Sequence, residues 1–117
     1  MKNYTPLWLL IIVIFGTVSC SSSTSLYSWY NYEDATYNYY KNPDEKKQEK
    51  MMNQYAKMLQ NQKGTRKVVP PGLNAEYGFM LVKAGKKEEG LALLQKEIEL
   101  YPESEKYISR IINQLKK

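Results

Sequence analysis

Residues 71–102 read PGLNAEYGFMLVKAGKKEEGLALLQKEIELYP, and the punctuation of this stretch decides the fold. Pro71 sits where a helix tolerates proline, at its first turn. Leu73, Tyr77, Met80, Leu81 and Ala84 then recur at helical spacing and give one apolar face. Gly85 stops that helix, as a glycine does when the chain must turn left-handed at a helix end. Lys86 to Glu89 open a second helix in which Leu91, Leu94, Ile98 and Tyr101 point inward. Pro102 breaks the chain again. Two amphipathic helices joined by a tight turn can bury their apolar stripes against each other.

The same reading extends in both directions. Downstream, Ser104 is placed to cap a last helix whose apolar stripe is Tyr107, Ile108, Ile111, Ile112 and Leu115. Upstream, Gln60 to Val69 is polar and basic, carries Gly64 and reads as a loop ended by Pro70-Pro71-Gly72. Before it, Asn42 is placed as a cap, Pro43 as the first helical residue and Glu45 as the third, an arrangement like a capping box. Met51, Met52, Tyr55, Met58 and Leu59 form the apolar face of that helix, opposite Lys46, Lys47, Glu49, Lys50 and Lys57. From Trp29 to Tyr40 a helical wheel sorts the aromatic residues into two stripes. Trp29, Tyr30, Tyr37 and Tyr40 fall on one side, and Tyr32 and Tyr39 with Ala35 on the other. Only Leu26 to Tyr32 could support even a short strand. The expected fold is all-α: two antiparallel helical hairpins and a C-terminal closing helix, in one domain over residues 26–117.

The second hairpin resembles a tetratricopeptide repeat, a helix-turn-helix unit of about 34 residues. With the repeat starting at Pro71, Gly78 takes the close-contact position between the helices and Gly85 the turn. Glu89 and Leu91 match common residues of the second helix, and Pro102 takes the terminal proline position. The small alanines usual in the second helix are replaced by Gly90, which keeps its position small, and by Glu97, which is not a close-packing residue. An ordinary helical hairpin would account for Gly85 and Pro102 as punctuation, but less well for the spacing of Gly78, Gly85 and Pro102.

The N-terminus has a different character. Leu7 to Phe15, LWLLIIVIF, is nine uninterrupted apolar residues, preceded by Lys2 and followed by Gly16, Thr17, Val18, Ser19 and Cys20. This is the layout of a secretory signal. It is too short for a transmembrane helix, which needs roughly 20 apolar residues. Thr17-Val18-Ser19-Cys20 resembles a bacterial lipobox, with threonine where leucine is usual. That resemblance implies removal of residues 1–19 and attachment of a diacylglycerol thioether and an acyl amide to Cys20. Several acyl chains on one residue make a durable anchor. Residues 20–25, rich in serine, read as a flexible tether. No aspartate or acidic cluster follows Cys20, which favours the periplasmic face of an outer membrane.

Composition narrows the chemistry. The 117 residues include no histidine and one cysteine, which removes imidazole bases, Cys-His nucleophiles, disulfides and cysteine zinc sites. Glu88 with Glu89, or Glu103 with Glu105, could be nominated as a carboxylate pair for glycosidic cleavage of cell wall. Each also lies where acidic residues favour helix N-termini. No phosphate loop or nucleophile elbow is present. We expect no catalytic residue, no metal ligand and no cofactor beyond the lipid on Cys20. The net charge of +5 is carried partly by Lys63, Arg66 and Lys67 in the loop and by Lys116 and Lys117. Export argues against nucleic acid as its partner and leaves anionic lipid or an acidic protein.

Eleven tyrosines against two phenylalanines is the odd feature, and six of the eleven fall between Tyr27 and Tyr40. One aromatic stripe is expected to be core. The other needs a neighbour, and rings with polar tips suit protein interfaces. Trp29, Tyr30, Tyr32, Tyr37, Tyr39 and Tyr40 are therefore the candidate partner-binding residues.

Leu26-Tyr27-Ser28-Trp29 with Tyr32, Glu33, Tyr37, Tyr39, Tyr40 and Lys41 resembles the opening of a small bacterial lipoprotein family, a domain of unknown function. Val69 to Ala75 resembles its central motif. Glu97, Leu100, Tyr101, Pro102, Glu103 and Ser104 resemble its closing motif, where phenylalanine is commoner than Tyr101. Members are usually encoded beside a curli-channel-like lipoprotein and a second small lipoprotein. The resemblance implies a non-catalytic scaffold in an envelope assembly or secretion module, with other lipoproteins as partners and no small-molecule substrate. The alternatives are a structural or regulatory envelope lipoprotein without a secretion partner and, further off, a cell-wall hydrolase.

Overall fold

Apolar residues at helical spacing, broken by proline and glycine, produce five helices among the described residues. The computed structural model describes residues 24–117. The expected signal segment 1–19, Cys20 and the start of the tether lie outside the described residues. Helix α1 spans Tyr32–Lys41, α2 Glu45–Gln60, α3 Leu73–Lys83, α4 Lys87–Leu100 and α5 Glu105–Lys116, with a 3-10 turn at Pro102–Ser104 before α5. There is no strand among the described residues, so the domain is all-α.

Several helix starts differ from the sequence expectation, each for a local reason. Tyr30 adopts a left-handed backbone with φ 48°, so the helix begins at Tyr32 and not at Trp29. Asp44, not Asn42, caps α2: its backbone is extended and its side chain accepts the Lys47 N–H at 2.7 Å. That N–H, and then the Lys47 ammonium, hold the Asp44 carboxyl below the usual carboxylate range. Asn42 instead closes α1, donating its backbone N–H to the Asn38 carbonyl. Helix α3 starts at Leu73 because Gly72, at φ 90°, is left-handed and interrupts the helical path from Pro71. Ser104 does not cap α5; its hydroxyl turns back to donate to the Tyr101 carbonyl at 2.7 Å.

Two clusters form the core. Met51, Tyr55 and Met58 of α2 meet Ala35 of α1, Leu73 and Met80 of α3, and Val69. Leu94 of α4 packs with Ile108 and Ile112 of α5, bordered by Ala75, Leu91 and Ile98. Between the clusters α3 and α4 approach backbone to backbone. A methyl group on Gly78 would stand 2.6 Å from the Gly90 carbonyl oxygen, and one on Gly90 would strike the Gly78 carbonyl and the Val82 side chain. Gly85, at φ 86°, makes the turn between the two helices.

Glu97 overturns its sequence reading. It is buried with 2% exposure and lies against the start of α3, where its Oε1 accepts the Gly72 N–H at 2.6 Å. The first N–H groups of a helix have no intrahelical acceptor, and an acidic side chain suits that place. Gly72 has no side chain to cap α3, and Glu97 supplies the cap from 25 residues away. One turn on, the Tyr101 hydroxyl donates to the Val69 carbonyl at 2.5 Å. The last turn of α4 thus grips Val69 and Gly72, on both sides of the buried Pro70.

Two outcomes follow from this grip. Glu97→Ala is expected to cost about 2–4 kcal/mol, because it strands a backbone donor and opens a cavity. Glu97→Gln keeps an acceptor and should cost clearly less; equal losses in urea unfolding would refute the capping role. Burial, followed by the neighbouring Tyr27 hydroxyl, pushes the Tyr101 phenol up to about 12. The unfolded phenol ionises near pH 10, so between pH 10 and 12 the unfolded chain releases a proton that the folded chain retains. This contribution is intact below pH 10 and is lost as pH rises toward 12. Urea midpoints measured from pH 9 to 11.5 should fall less steeply for Tyr101→Phe than for the unaltered chain.

Candidate interaction surface

Helix α1 has ten residues and can offer only one stripe to α2 and α3. Ala35 is buried, and Tyr32 and Tyr39 pack partly buried beside it against the first core cluster. The Tyr32 hydroxyl donates to Glu76 Oε2 at 2.8 Å, joining α1 to the first turn of α3. Its ring lies 5.4 Å from Trp29 and 5.7 Å from Tyr55, and Tyr55 lies 5.6 Å from Tyr77. Tyr27 meets Trp29 edge-on at 6.2 Å. Five rings therefore run without interruption from the N-terminal segment to α3. Burial, reinforced by Glu76, raises the Tyr32 and Tyr55 phenols, and burial raises Tyr77. Each is held as a neutral phenol above the ordinary range.

The six candidate aromatics thus divide. Tyr32 and Tyr39 belong to the core. Tyr30, although 37% exposed, is fixed: its hydroxyl donates to the Asn61 carbonyl, and the Lys57 ammonium lies 4.4 Å from its ring centroid. Trp29 is half exposed and wedged between Tyr27 and Tyr32. Tyr37 and Tyr40 are the most exposed rings of α1, at 61% and 65%, although Tyr40 lies near enough to the core side that burial, then the Glu76 charge, raises its phenol. Tyr40 leans edge-on against Tyr39 at 5.3 Å, and Lys41 covers one face of Tyr37 at 5.5 Å. A second exposed aromatic pair, Phe79 and Tyr107, borders an apolar groove between α3 and α5 of about 390 Å³, floored by Ala75, Ile108 and Ile111.

The loop before α3 has a function that its composition conceals. Gln62 grips Ser28 with both ends of its amide, accepting the Ser28 N–H at 2.9 Å and donating to the Ser28 carbonyl at 3.1 Å. The Ser28 hydroxyl accepts the Lys63 N–H at 2.9 Å. Thr65 and Arg66 donate backbone N–H groups to the Ser25 and Leu26 carbonyls at 3.1 and 3.2 Å. Gly64 is buried under Leu26, where a side chain would meet the Leu26 carbonyl carbon at 2.5 Å. The segment 25–28 is thereby clasped along the loop, and the aromatic run starts from a fixed end. Gly64 was the one visible sign of this contact, since a polar loop gives no periodicity to read.

The nominated carboxylates Glu88, Glu89, Glu103 and Glu105 are all exposed near helix starts. Glu89 lies 4.0 Å from the Lys86 ammonium. Among the described residues no group of three or more acidic, histidine or cysteine side chains could hold a metal ion, and no helix is long and apolar enough to cross a membrane.

Residues 26–111 match the family described as Domain of unknown function (DUF4810), and the chain belongs to that family. The matched region opens at Leu26, the centre of the clasp, and extends into α5. Neither the curated proteins nor the solved structures give a match. Removing the amide in Gln62→Ala breaks three hydrogen bonds, two of them to Ser28 and one to Met58. It is expected to cost about 1–3 kcal/mol. Amide exchange should accelerate first in residues 24–30; uniform acceleration across the helices would disprove a local clasp.

Proposed function

We propose that this member of the DUF4810 family is a lipid-anchored, non-catalytic scaffold on the periplasmic side of an outer membrane. In this reading Cys20 carries the lipid, and the helical domain holds other envelope lipoproteins, foremost a curli-channel-like protein encoded beside it. The observation that carries the proposal is the outward pair Tyr37 and Tyr40, large rings that α1 does not bury although its other tyrosines fill the core. Exposed tyrosine offers apolar area and a hydrogen-bonding tip at small entropic cost, the chemistry of an interface.

The tetratricopeptide-like reading of α3 and α4 is part of the proposal. It is supported by the Gly78–Gly90 contact, the left-handed Gly85 and the break at Pro102. One such unit cannot close a core alone, as about three repeats are usual. Here α2 covers one side of the pair and α5 the other.

The test is co-purification with the neighbouring channel-like lipoprotein. Tyr37→Ala with Tyr40→Ala should weaken capture at least tenfold while unfolding stays within about 0.5 kcal/mol, since both residues are exposed. Undiminished capture removes this face from the proposal. Separately, Cys20→Ser should release the protein from membranes; a variant that stays in the membrane fraction defeats the lipid anchor.

A further inference from the structure

The clasp also fixes where the loop cations stand. Lys63, Arg66 and Lys67 are exposed, and the ion pairs among the described residues all involve other lysines. Residues 61–72 contain these three cations and no acidic residue, and residues 21–30 contain no charge of either sign. The clasp lays these two stretches side by side, through the Arg66 N–H on Leu26 and the Lys63 N–H on Ser28. Three large apolar residues are exposed on the same strip: Leu26 at 58%, Trp29 at 45% and Val68 at 39%. Cations interleaved with exposed leucine, valine and tryptophan are the composition of a surface that sits among lipid headgroups.

The far end of the molecule has a different character. Contacts between Glu97 and Gly72, and between Tyr32 and Glu76, gather the end of α4 and the starts of α1 and α3 beside the clasp. The joint between α1 and α2 and the turn between α3 and α4 lie together at the opposite end, where Glu45 and Glu49 border the same groove as Ala84 and Lys86. There Asp44, Glu45, Glu49, Glu88 and Glu89 alternate with lysines, and Asp44 pairs with Lys47 and Glu89 with Lys86.

We infer that the strip formed by residues 24–30 and the loop 61–69 docks on anionic phospholipid headgroups of the membrane in which the chain is anchored. This rests on the proposed anchor at Cys20. Ser25, whose carbonyl is already bound to Thr65, lies only five positions after Cys20. An extended chain of that length reaches about 18 Å at most. The clasp therefore holds this end of the fold nearest the lipid, and the cations gain from the negative surface potential there.

The experiment attaches the chain from residue 20 to vesicles by coupling its only thiol, Cys20, to a maleimide-bearing lipid. The vesicles hold phosphatidylcholine alone or with phosphatidylglycerol, and a portion of the lipid is brominated near the top of its acyl chains. Trp29, the one tryptophan from residue 20 onward, is the reporter. With phosphatidylglycerol its emission should shift to the blue and be quenched, and 0.5 M salt should reverse both changes. Lys63→Gln, Arg66→Gln and Lys67→Gln together should lower the docked-to-free ratio about a hundredfold, near fivefold per cation. Lys46→Gln, Lys87→Gln and Lys116→Gln, which remove equal charge from other surfaces, should leave the signal unchanged. Circular dichroism keeps loss of fold apart from loss of docking.

Equal effects of the two triple variants, or identical Trp29 signals in neutral and anionic vesicles, would overturn the inference. The second result would return the cations to a role on an acidic protein. Because the chemical coupling supplies the anchor, these results do not depend on natural lipidation. The anchor itself is read from the mass of Cys20 peptides from native membranes: unmodified Cys20 there would end the anchor reading and leave the vesicle result standing.

Discussion

The contact between the Glu97 carboxyl and the Gly72 N–H sets the order in which the rest of the structure can be built. Gly72 is left-handed, so α3 starts without a capping side chain of its own. Glu97 supplies the missing acceptor, and Tyr101, four residues later, holds Val69. Together they fix the path of Val69-Pro70-Pro71-Gly72 over the end of α4. That path determines where the loop lies, the loop clasps residues 25–28, and the clasp seats Trp29 against Tyr32. A single buried acidic residue is therefore coupled to the aromatic segment through backbone geometry. The close approach of Gly78 and Gly90 is part of the same constraint, because it lets α4 lie near enough for Glu97 to reach Gly72.

The parts of this fold that were legible in the sequence are those governed by contacts along one helix. Periodicity located all five helices, and Gly85 and Gly78 were read in the places they occupy. What escaped was decided over long separations. Glu97 stood out only as a residue too polar for a close-packing position, and its meaning required Gly72, 25 residues away. Gln62 and Ser28 are 34 residues apart in a region without pattern. The error at the start of α2 has a different origin. Asn42 and Asp44 are both capping residues, and the choice fell to Asp44 because Asn42 is occupied in closing α1. For the candidate surface, the wheel separated the inward pair Tyr32 and Tyr39 from the outward pair Tyr37 and Tyr40. It put Trp29 and Tyr30 with the outward pair, which the structure overturns: both precede the helix, Trp29 packs against Tyr32 and Tyr30 is tied to Asn61.

The aromatic excess has a physical rationale in the length of α1. A ten-residue helix is marginal in water by itself and depends on tertiary packing. Tyr32, Ala35 and Tyr39 supply that packing, and the Tyr32–Glu76 hydrogen bond fixes its register on α3. Tyr37 and Tyr40 add nothing comparable to the fold. Their exposure is the ground on which they are proposed as a partner-facing pair.

The two proposed surfaces constrain each other. With Cys20 as anchor and the clasp strip on the lipid, the starts of α1 and α3 face the membrane. Tyr37 and Tyr40 lie toward the far end of α1, and a helix rises 1.5 Å per residue. Their distance from the clasp is then on the order of 10–15 Å along the helix. A partner binding them would have to present its own surface at that height, which favours a protein embedded in or anchored to the same membrane. Confinement of both to one plane raises their effective concentration without any new contact. A modest aromatic patch could then hold a partner that it would bind only weakly in free solution, so under the two proposals the anchor and the exposed tyrosines would act as two halves of one binding device.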